Sequence, residues 1–224
     1  MIGELLPPPV ETAEMFHDPP GQRLFPEEEA LISGAVEKRR QEFRTVRTCA
    51  WAALRRLGID PVPILPGQRG APRWPDGVVG SMTHCAGYRA AAVARAAEVT
   101  AVGVDAEPNE PLPPGGVLGL VALPEERALL ASHAADRPGV CWDRLLFSAK
   151  ESVYKAWFPL TNRWLDFHDA MVRVDPCAGT FTARILLPAG TAPAGAGGQP
   201  SGFEGRWLVR DGLIVTAIAV LGVR

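Results

Sequence analysis

The sequence predicts an α+β protein built from two similar α/β halves. Two long segments carry apolar residues at spacings of three and four, which is typical of amphipathic helices. Short runs rich in β-branched and apolar residues follow each of them and are typical of strands. The order of these elements along the chain indicates that the two halves meet near Val104. We therefore divide the chain into an extended N-terminal arm (1–25), an N-terminal half (26–104) and a C-terminal half (105–224).

The arm and the N-terminal half are recognised by their prolines and by one long apolar stripe. Pro7-Pro8-Pro9 favours extended chain before residue 26. Pro26 and the three glutamates after it suit the first turn of a helix, where carboxylates stabilise the helix dipole. The stripe then continues to Leu57 with one break expected near its middle, and Gly58 supplies the stop. The strands predicted after a loop at 60–77 are 78–82, 89–95 and 100–105.

The C-terminal half is predicted to contain two helices and four strands. The first helix covers 124–133, and the second runs from Trp142 to Phe158, where Pro159 is expected to end it. Arg210-Asp211-Gly212 is typical of a hairpin turn. The segment 188–202 is rich in Gly, Ala and Pro, and we expect a mobile surface loop there. The predicted strands are 171–175, 180–187, 205–209 and 213–221.

Composition excludes several classes of protein. The 224 residues include 23 Lys and Arg against 25 Asp and Glu, a formal net charge of −2, which is not typical of a nucleic-acid binder. No apolar run reaches the roughly 18–20 residues of a membrane span, and the N-terminus has no signal-peptide pattern. The four cysteines include no CxxC pair, so we expect reduced thiols in a cytoplasmic protein.

The positive charges are unevenly distributed. Residues 38–104 contain eleven basic and four acidic residues, which suits a small polyanion or an acidic partner and equally a solvated helix face. Only three basic residues are lysines, and two of them, Lys150 and Lys155, flank Glu151. Glu151 and Lys155 are four residues apart on one predicted helix, as an ordinary helical salt bridge would be. The scarcity of lysine elsewhere favours a carboxylate and ammonium groups gathered for a metal and phosphates.

Two further groups of residues point to chemistry. Asp105 and Glu107 lie two residues apart at a strand end and therefore face the same side. Such carboxylates suit Mg²⁺ bound together with substrate phosphates, although two solvated acids would look the same. Thr83 and His84 follow a predicted strand and precede the turn at Gly87. His84 could bind a phosphate or be a structural histidine.

Taken together, these segments resemble the Sfp/EntD-type 4'-phosphopantetheinyl transferases, particularly the actinobacterial members. The resemblance extends from about residue 26 to 165 and is strongest in three blocks that occur in the family's order and spacing. The blocks are Gly80-Ser81-Met82-Thr83-His84-Cys85-Ala86-Gly87-Tyr88, Val102-Gly103-Val104-Asp105-Ala106-Glu107 and Phe147-Ser148-Ala149-Lys150-Glu151-Ser152-Val153-Tyr154-Lys155-Ala156-Trp157. The resemblance implies the fold of that family, with the active site at the junction of two pseudo-symmetric halves.

The resemblance also implies roles for individual residues. Asp105, Glu107 and Glu151 would hold Mg²⁺ against the pyrophosphate of coenzyme A. Lys155 would contact the phosphates with Lys150 nearby, so we expect the catalytic residues to be Glu151, Lys155 and Lys150. The contacts implied for coenzyme A are Arg39, Arg47, Pro66, Gly67, Gln68, Arg69, Thr83, His84, Asp105, Ala106, Lys155 and Leu165.

The implied reaction moves 4'-phosphopantetheine from coenzyme A to a serine of an apo acyl or peptidyl carrier protein and releases 3',5'-ADP. Fatty-acid, polyketide and nonribosomal peptide synthases carry such proteins. We expect Glu151 to act as the base, directly or through a metal-bound water, with Lys150 as the alternative if the metal lowers its pKa. A monomer suffices, because all of these residues lie in one chain. Two other classes stay open: a Mg²⁺-dependent phosphohydrolase, and a non-catalytic module that binds coenzyme A or a carrier protein.

Overall fold

Two antiparallel sheets, each packed against one long helix, give the α+β fold that the sequence predicts. The computed structural model describes residues 1–187 and 200–222, so most of the predicted loop at 188–202 lies outside the described residues. The α-helices are α1 (Pro26–Leu31), α2 (Glu37–Arg56), α3 (Val117–Val121), α4 (Pro124–Asp136) and α5 (Trp142–Thr161). The strands are β1 (Glu11–Met15), β2 (Val78–Cys85), β3 (Tyr88–Arg95), β4 (Val99–Pro108), β5 (Ala170–Asp175), β6 (Thr180–Ile185), β7 (Gly202–Arg210) and β8 (Leu213–Leu221).

The two sheets share one connection pattern. Their strand orders are β1-β3-β2 and β4-β8-β7-β6-β5. In each sheet a first strand precedes the long helix and pairs with the second strand of a later hairpin: β1 with β3, and β4 with β8. The boundary that we predicted between residues 104 and 105 falls inside β4, which pairs with β8 along its length. Strand pairing therefore favours a division at 96–98, while the division into domains stays a prediction.

A short sequence repeat marks the same relationship, although sequence analysis alone did not identify it. Residues 25–32 read Phe-Pro-Glu-Glu-Glu-Ala-Leu-Ile and residues 123–130 read Leu-Pro-Glu-Glu-Arg-Ala-Leu-Leu. Each repeat begins a helix with proline in its first turn, and the side chain of Glu28 or Glu126 accepts the N–H of the N-cap residue. The last residue of each repeat, Ile32 or Leu130, is buried. Both halves therefore begin their helical layer in the same way.

The N-terminal segment is packed into the protein rather than standing apart as an arm. Residues 11–15 form β1, which pairs with β3. The side chains of Ile2, Leu5 and Leu6 are buried in an apolar cluster between the two sheets. Burying apolar surface contributes about 25 cal/mol per Å², which favours this docked position. The three prolines that follow directly, at 7–9, favoured the prediction of an extended arm.

The helices largely match their predicted ranges, with two corrections. The long N-terminal helix is broken once, as predicted, but the break lies at 32–36 between α1 and α2, nearer to its start than to its middle. Pro159 does not end α5, which continues to Thr161 and is followed by Asn162 in the left-handed conformation, with φ of 53°. Proline has no N–H to donate to the Lys155 carbonyl, so α5 loses one backbone hydrogen bond there and ends two residues later. In the described part of the chain, no helix has the length and apolar character of a membrane span.

Close packing of α5 on β4 sets up the functional region. Gly103 lies in the middle of β4, and a Cβ atom built there would be 2.0 Å from the carbonyl oxygen of Ser152 on α5. Only glycine allows the two backbones to approach this closely. As a result, Glu151 and Lys155 on α5 lie beside the end of β4 that carries Asp105.

Candidate active site

A pocket of about 780 Å³ lies between the two halves. It is walled by α2, the loop before β2, β2 itself and α5, and Phe43, Trp74 and Phe158 supply apolar surface. A volume of this size accommodates a cofactor-sized ligand. Of the residues predicted to bind coenzyme A or to act in catalysis, those that line the pocket are Arg39, Arg47, Pro66, Gly67, Gln68, Arg69, His84, Glu151 and Lys155.

Hydroxyl groups on β2 join the two halves beside this pocket. Ser81 Oγ accepts the backbone N–H of Val104 at 3.1 Å, and Thr83 Oγ1 accepts that of Ala106 at 3.0 Å. The Thr83 hydroxyl also donates to Asp105 Oδ1 at 3.4 Å. Thr83 and Ala106, predicted as contacts of coenzyme A, therefore fix the position of Asp105 and do not line the pocket.

Lys155, which lines the pocket, is hydrogen-bonded to Asp105 in β4. Lys155 Nζ donates to Asp105 Oδ1 at 2.8 Å and to the carbonyl oxygen of Val104 at 3.1 Å. Asp105 is only 5% exposed, and its second oxygen, Oδ2, is buried without a hydrogen-bond partner. A buried carboxylate oxygen in this state is costly unless a cation compensates it.

Glu107, two residues further along β4, is held by an arginine from the start of α5. Arg144 Nη1 donates to Glu107 Oε2 at 3.1 Å. The same guanidinium donates to the carbonyl oxygens of Glu110 and Pro111 at 3.0 and 2.9 Å, so it also fixes the segment after β4. Burial, followed by the negative charge of Asp105, raises the pKa of Glu107 to about 7, and Arg144 opposes this shift.

Glu151 is the acidic group that opens onto the pocket. It is half-buried, and among the described residues its carboxylate makes no hydrogen bond. Burial raises the pKa of Glu151; the positive charge of Lys155 lowers it, and the charge of Asp105 raises it further. An unengaged carboxylate of this kind is available to a metal, a water or a substrate hydroxyl.

The carboxylates predicted to bind Mg²⁺ do not form a complete metal site in this geometry. Across residues 1–187 and 200–222, no three Asp, Glu, His or Cys side chains converge closely enough to form a ready-made metal site. The donor chemistry nevertheless fits a hard divalent cation, which prefers carboxylate oxygens. Asp105 keeps one buried oxygen without a hydrogen-bond partner, and its negative charge raises the pKa of Glu107. The carboxylate of Glu151 makes no hydrogen bond among the described residues. Lys155 and Arg144 each take one oxygen of this set, so a cation would compete with them.

His84 lies at the other side of the pocket in a group of charged residues. Arg39 Nη1 contacts His84 Nε2, and Glu42 Oε2 lies 3.9 Å from the same ring atom. Arg89 Nη2 lies 3.7 Å from Glu42 and 2.7 Å from Asp18 of the N-terminal segment. Partial burial and the positive charge of Arg39 lower the pKa of His84, so the ring is neutral near pH 7 and acts as a hydrogen-bonding group.

Two further predicted site residues, Lys150 and Leu165, do not line the pocket. Lys150 is 3% exposed and donates to Glu126 Oε2 at 2.7 Å, to the Val121 carbonyl at 2.9 Å and to the Phe167 carbonyl at 2.7 Å. These contacts use all three of its N–H groups, so the geometry does not support Lys150 as a base. Leu165 is 6% exposed and belongs to the apolar core of the C-terminal half.

The structure also adds residues that sequence reasoning missed. Arg144 precedes Glu151 by seven residues and Lys155 by eleven, so all three lie along one face of α5, and that spacing was a signal in the sequence. Trp74 lines the pocket and donates its indole N–H to the Gly80 carbonyl at 2.9 Å. No pattern around Trp74 indicated this, because a loop residue has no periodicity.

Comparison with known proteins identifies the class to which this fold and site belong. Residues 27–94 match the 4'-phosphopantetheinyl transferase N-terminal domain, and residues 101–195 match the 4'-phosphopantetheinyl transferase superfamily. The chain belongs to the 4'-phosphopantetheinyl transferases, the enzymes that transfer the phosphopantetheine group of coenzyme A to carrier proteins. The interval between the two matched regions, 95–100, contains the passage from β3 to β4.

Individual relatives are similar over nearly the whole chain. The 4'-phosphopantetheinyl transferase Svp of Streptomyces mobaraensis is 61% identical over 223 residues, covering 98% of this chain and 89% of the relative. The 4'-phosphopantetheinyl transferase PptT of Mycobacterium tuberculosis is 50% identical over 212 residues, covering 93% and 91%. Enterobactin synthase component D of Salmonella typhimurium is 30% identical over 191 residues, covering 85% and 76%.

Proposed function

We propose that the pocket between the halves binds coenzyme A, and that the enzyme transfers its phosphopantetheine to a serine of an apo acyl or peptidyl carrier protein. The observation that supports this most directly is the sharing of one cavity by both halves. Arg39 and His84 approach it from the N-terminal half, and Glu151 and Lys155 approach it from α5. Positive groups on both sides suit a ligand with phosphates at both ends of its nucleotide.

The residues proposed to contact phosphates divide into two groups. Arg39, Arg47 and His84 bind the phosphates on the nucleotide side, and the loop 66–69 borders the adenosine. Lys155 binds the pyrophosphate, because its ammonium reaches the pocket while being fixed by Asp105. A cation that is already oriented needs little rearrangement when charge develops during the reaction.

Asp105, Glu107 and Glu151 are the residues proposed to hold Mg²⁺. When bound there, the ion would supply charge neutralisation at the phosphates. The unpartnered Oδ2 of Asp105 and the unengaged carboxylate of Glu151 support this assignment. Arg144 holds Glu107 in place through its ion pair with one carboxylate oxygen.

In the transfer itself, the serine oxygen of the carrier protein forms a bond to the β-phosphorus of coenzyme A. The bond between that phosphorus and the bridging oxygen breaks, and 3',5'-ADP leaves with the electron pair. Glu151 is proposed to take the serine proton, because its carboxylate opens onto the pocket and its pKa is raised by burial. Lys155 stabilises the negative charge on the departing bisphosphate.

The proposed partners are carrier proteins of fatty-acid, polyketide or nonribosomal peptide synthases. Carrier proteins are usually acidic, and exposed arginines such as Arg39 can steer them to the pocket. The name of enterobactin synthase component D links one relative to a synthase. A monomeric state and a cytoplasmic location are part of the same proposal.

The experiment that tests the proposal incubates the protein with coenzyme A, Mg²⁺ and a purified apo acyl carrier protein. Intact mass spectrometry of the carrier should show the gain of one phosphopantetheine. An Asp105→Ala variant, measured in parallel, should lose the gain because it removes both the metal ligand and the anchor of Lys155. Breakdown of coenzyme A without carrier modification would instead indicate a phosphohydrolase. Binding of coenzyme A with neither product would indicate a binding module.

A further inference from the structure

A fully buried carboxylate behind the pocket has no part in the mechanism above. Glu28 on α1 is 0% exposed. Its Oε1 accepts the backbone N–H of Ile64 at 2.9 Å, and its Oε2 accepts that of Phe25 at 3.3 Å. Oε1 also lies 3.2 Å from Nε of Arg47 on α2, in an ion pair that lacks hydrogen-bond geometry. A buried charge requires such compensation, so the Glu28 carboxylate and the Arg47 guanidinium depend on each other.

The Arg47 guanidinium is held at the pocket wall in one orientation. Its central carbon lies 4.2 Å from the centroid of the Phe43 ring, and its Nη1 lies 3.3 Å from Met82 Sδ. The side chain is 9% exposed and lines the pocket. Glu28 faces Nε, and among the described residues no carboxylate pairs with either terminal nitrogen. The edge of the guanidinium that is free of acidic partners is therefore available to a phosphate.

The C-terminal half contains a matched arrangement that lies outside this pocket. Glu126 occupies the position of Glu28 in the sequence repeat, is 2% exposed and accepts the backbone N–H of Val172 at 2.7 Å. Its partner is Lys150, whose three N–H groups are all used within the protein. Neither Glu126 nor Lys150 lines the pocket. The basic residue of the buried pair is thus fully used within the protein in the C-terminal half, whereas in the N-terminal half it lines the pocket.

We propose that Glu28 is a positioning residue: its carboxylate holds Nε of Arg47 so that the terminal nitrogens face a phosphate of coenzyme A. The inference rests on the proposed function of the pocket. Arginine suits this arrangement because a planar guanidinium can meet a carboxylate along one side and a phosphate along another. Glu28 does not touch the ligand and acts only through Arg47.

The test is the affinity of a Glu28→Gln variant for coenzyme A, measured by calorimetry without carrier protein, together with KM and kcat. The expected result is binding weakened by about tenfold and a matching rise in KM for coenzyme A, with kcat changed by less than about twofold. If Glu28 only neutralised Arg47, its removal would leave a stronger positive charge facing the phosphate and would tighten binding. Tighter or unchanged binding would overturn the proposal.

A Glu126→Gln variant is the matched control, because it also loses a buried ion pair at the same place in the repeat. Its thermal stability should fall in the same way, while its affinity for coenzyme A should stay within twofold of wild type. An equal loss of affinity in both variants would assign the effect to general destabilisation and would overturn the positioning role.

Two more variants keep the test decisive if Glu28→Gln does not fold. Glu28→Asp keeps the charge but shortens the side chain, which moves the carboxylate away from Arg47. Weaker binding of coenzyme A is therefore expected, and wild-type affinity would contradict the proposal. Arg47→Lys keeps the positive charge but loses the planar group, and adding Glu28→Asp to it should cause little further loss. Failure of the wild-type protein to bind coenzyme A would overturn the proposed function instead, which separates the two results.

Discussion

Lys155 Nζ lies 2.8 Å from Asp105 Oδ1, and this contact joins the pocket to the end of β4. Lys155 is on α5 and lines the pocket, whereas Asp105 is buried between the two halves. Thr83 of β2 holds the same carboxylate oxygen from the N-terminal half. The Asp105 carboxylate therefore orients the Lys155 ammonium group and connects elements from both halves.

Substitution of Lys155 by Gln should lower kcat/KM for coenzyme A by at least about 100-fold, because it removes a pre-oriented positive charge from the phosphates. The measurement is the rate of phosphopantetheine transfer to a carrier protein by intact mass. Arg127→Gln, a charge-removing change on the exposed side of α4, is the control and should keep the wild-type rate. A rate for Lys155→Gln within threefold of wild type would refute the role given to this lysine.

Glu151→Gln tests the proposed base and metal ligand. The variant keeps the size of the side chain but cannot accept the serine proton, so kcat should fall by about 100- to 10,000-fold. The rate should be measured across a series of Mg²⁺ concentrations with the carrier protein saturating. Recovery of most of the rate at high Mg²⁺ would show that Glu151 acts as a ligand and would exclude it as the base.

Much of the fold could be predicted because periodicity records which face of an element is buried. The stripe of α2 and the run of β8 both identify their elements, and the bounds of β8 match those predicted. The N-terminal segment was misjudged because Ile2, Leu5 and Leu6 follow no period and are followed directly by Pro7-Pro8-Pro9, which favours extended chain. The extent of α5 was misjudged because Pro159 removes one backbone hydrogen bond without ending the helix at that residue, so Leu160 and Thr161 still belong to α5.

The site was predictable only where residue type and spacing carry the chemistry. Asp105 and Glu151 stand out because carboxylates occur in the family's motif spacing. Lys150 stands out equally, yet its ammonium contacts Glu126. It lies four residues after Leu146 and three before Val153, on the buried side of α5, and this periodicity was a signal in the sequence against a place in the pocket. Glu28 was interpreted only as one of three acids that stabilise the helix dipole, because its ion pair with Arg47 depends on the packing of α1 against α2.

Because Lys150 pairs with Glu126, its substitution should lower the stability of the fold and should not act on the reaction directly. Both side chains are 1% exposed, so Lys150→Met leaves a buried carboxylate without its partner and should destabilise the fold by about 3–5 kcal/mol. Urea unfolding measures this. The double variant Lys150→Met, Glu126→Gln should recover part of the loss, because no buried charge is left. A Lys150→Met protein with wild-type stability and no activity would instead restore the interpretation of Lys150 as a base.

Gly103→Ala should disrupt the contact between β4 and α5. The added Cβ would lie 2.0 Å from the Ser152 carbonyl oxygen, which is backbone and cannot rotate away. We expect a loss of several kcal/mol in the free energy of unfolding, at the upper end of overpacking effects of about 1–3 kcal/mol. Gly139→Ala is the control, because a Cβ there meets no atom within 4 Å. Equal stability of the two variants would mean that α5 can shift without cost.

The raised pKa of Glu107 predicts how stability varies with pH in the metal-free protein. Its pKa is 4.5 in the unfolded chain and about 7 in the fold, where burial and Asp105 favour the protonated form. The folded state therefore binds the proton more tightly, and stability should fall as pH rises from about 4.5 to 7, by up to about 3 kcal/mol. Thermal unfolding in EDTA at pH 5 and pH 8 measures this against Glu107→Gln, which cannot titrate. The wild-type protein should lose stability relative to the variant at pH 8, and Mg²⁺ should restore part of it because the ion binds the deprotonated carboxylate. Parallel pH profiles for the two proteins would show that burial and the charge of Asp105 do not raise the pKa of Glu107 in the fold.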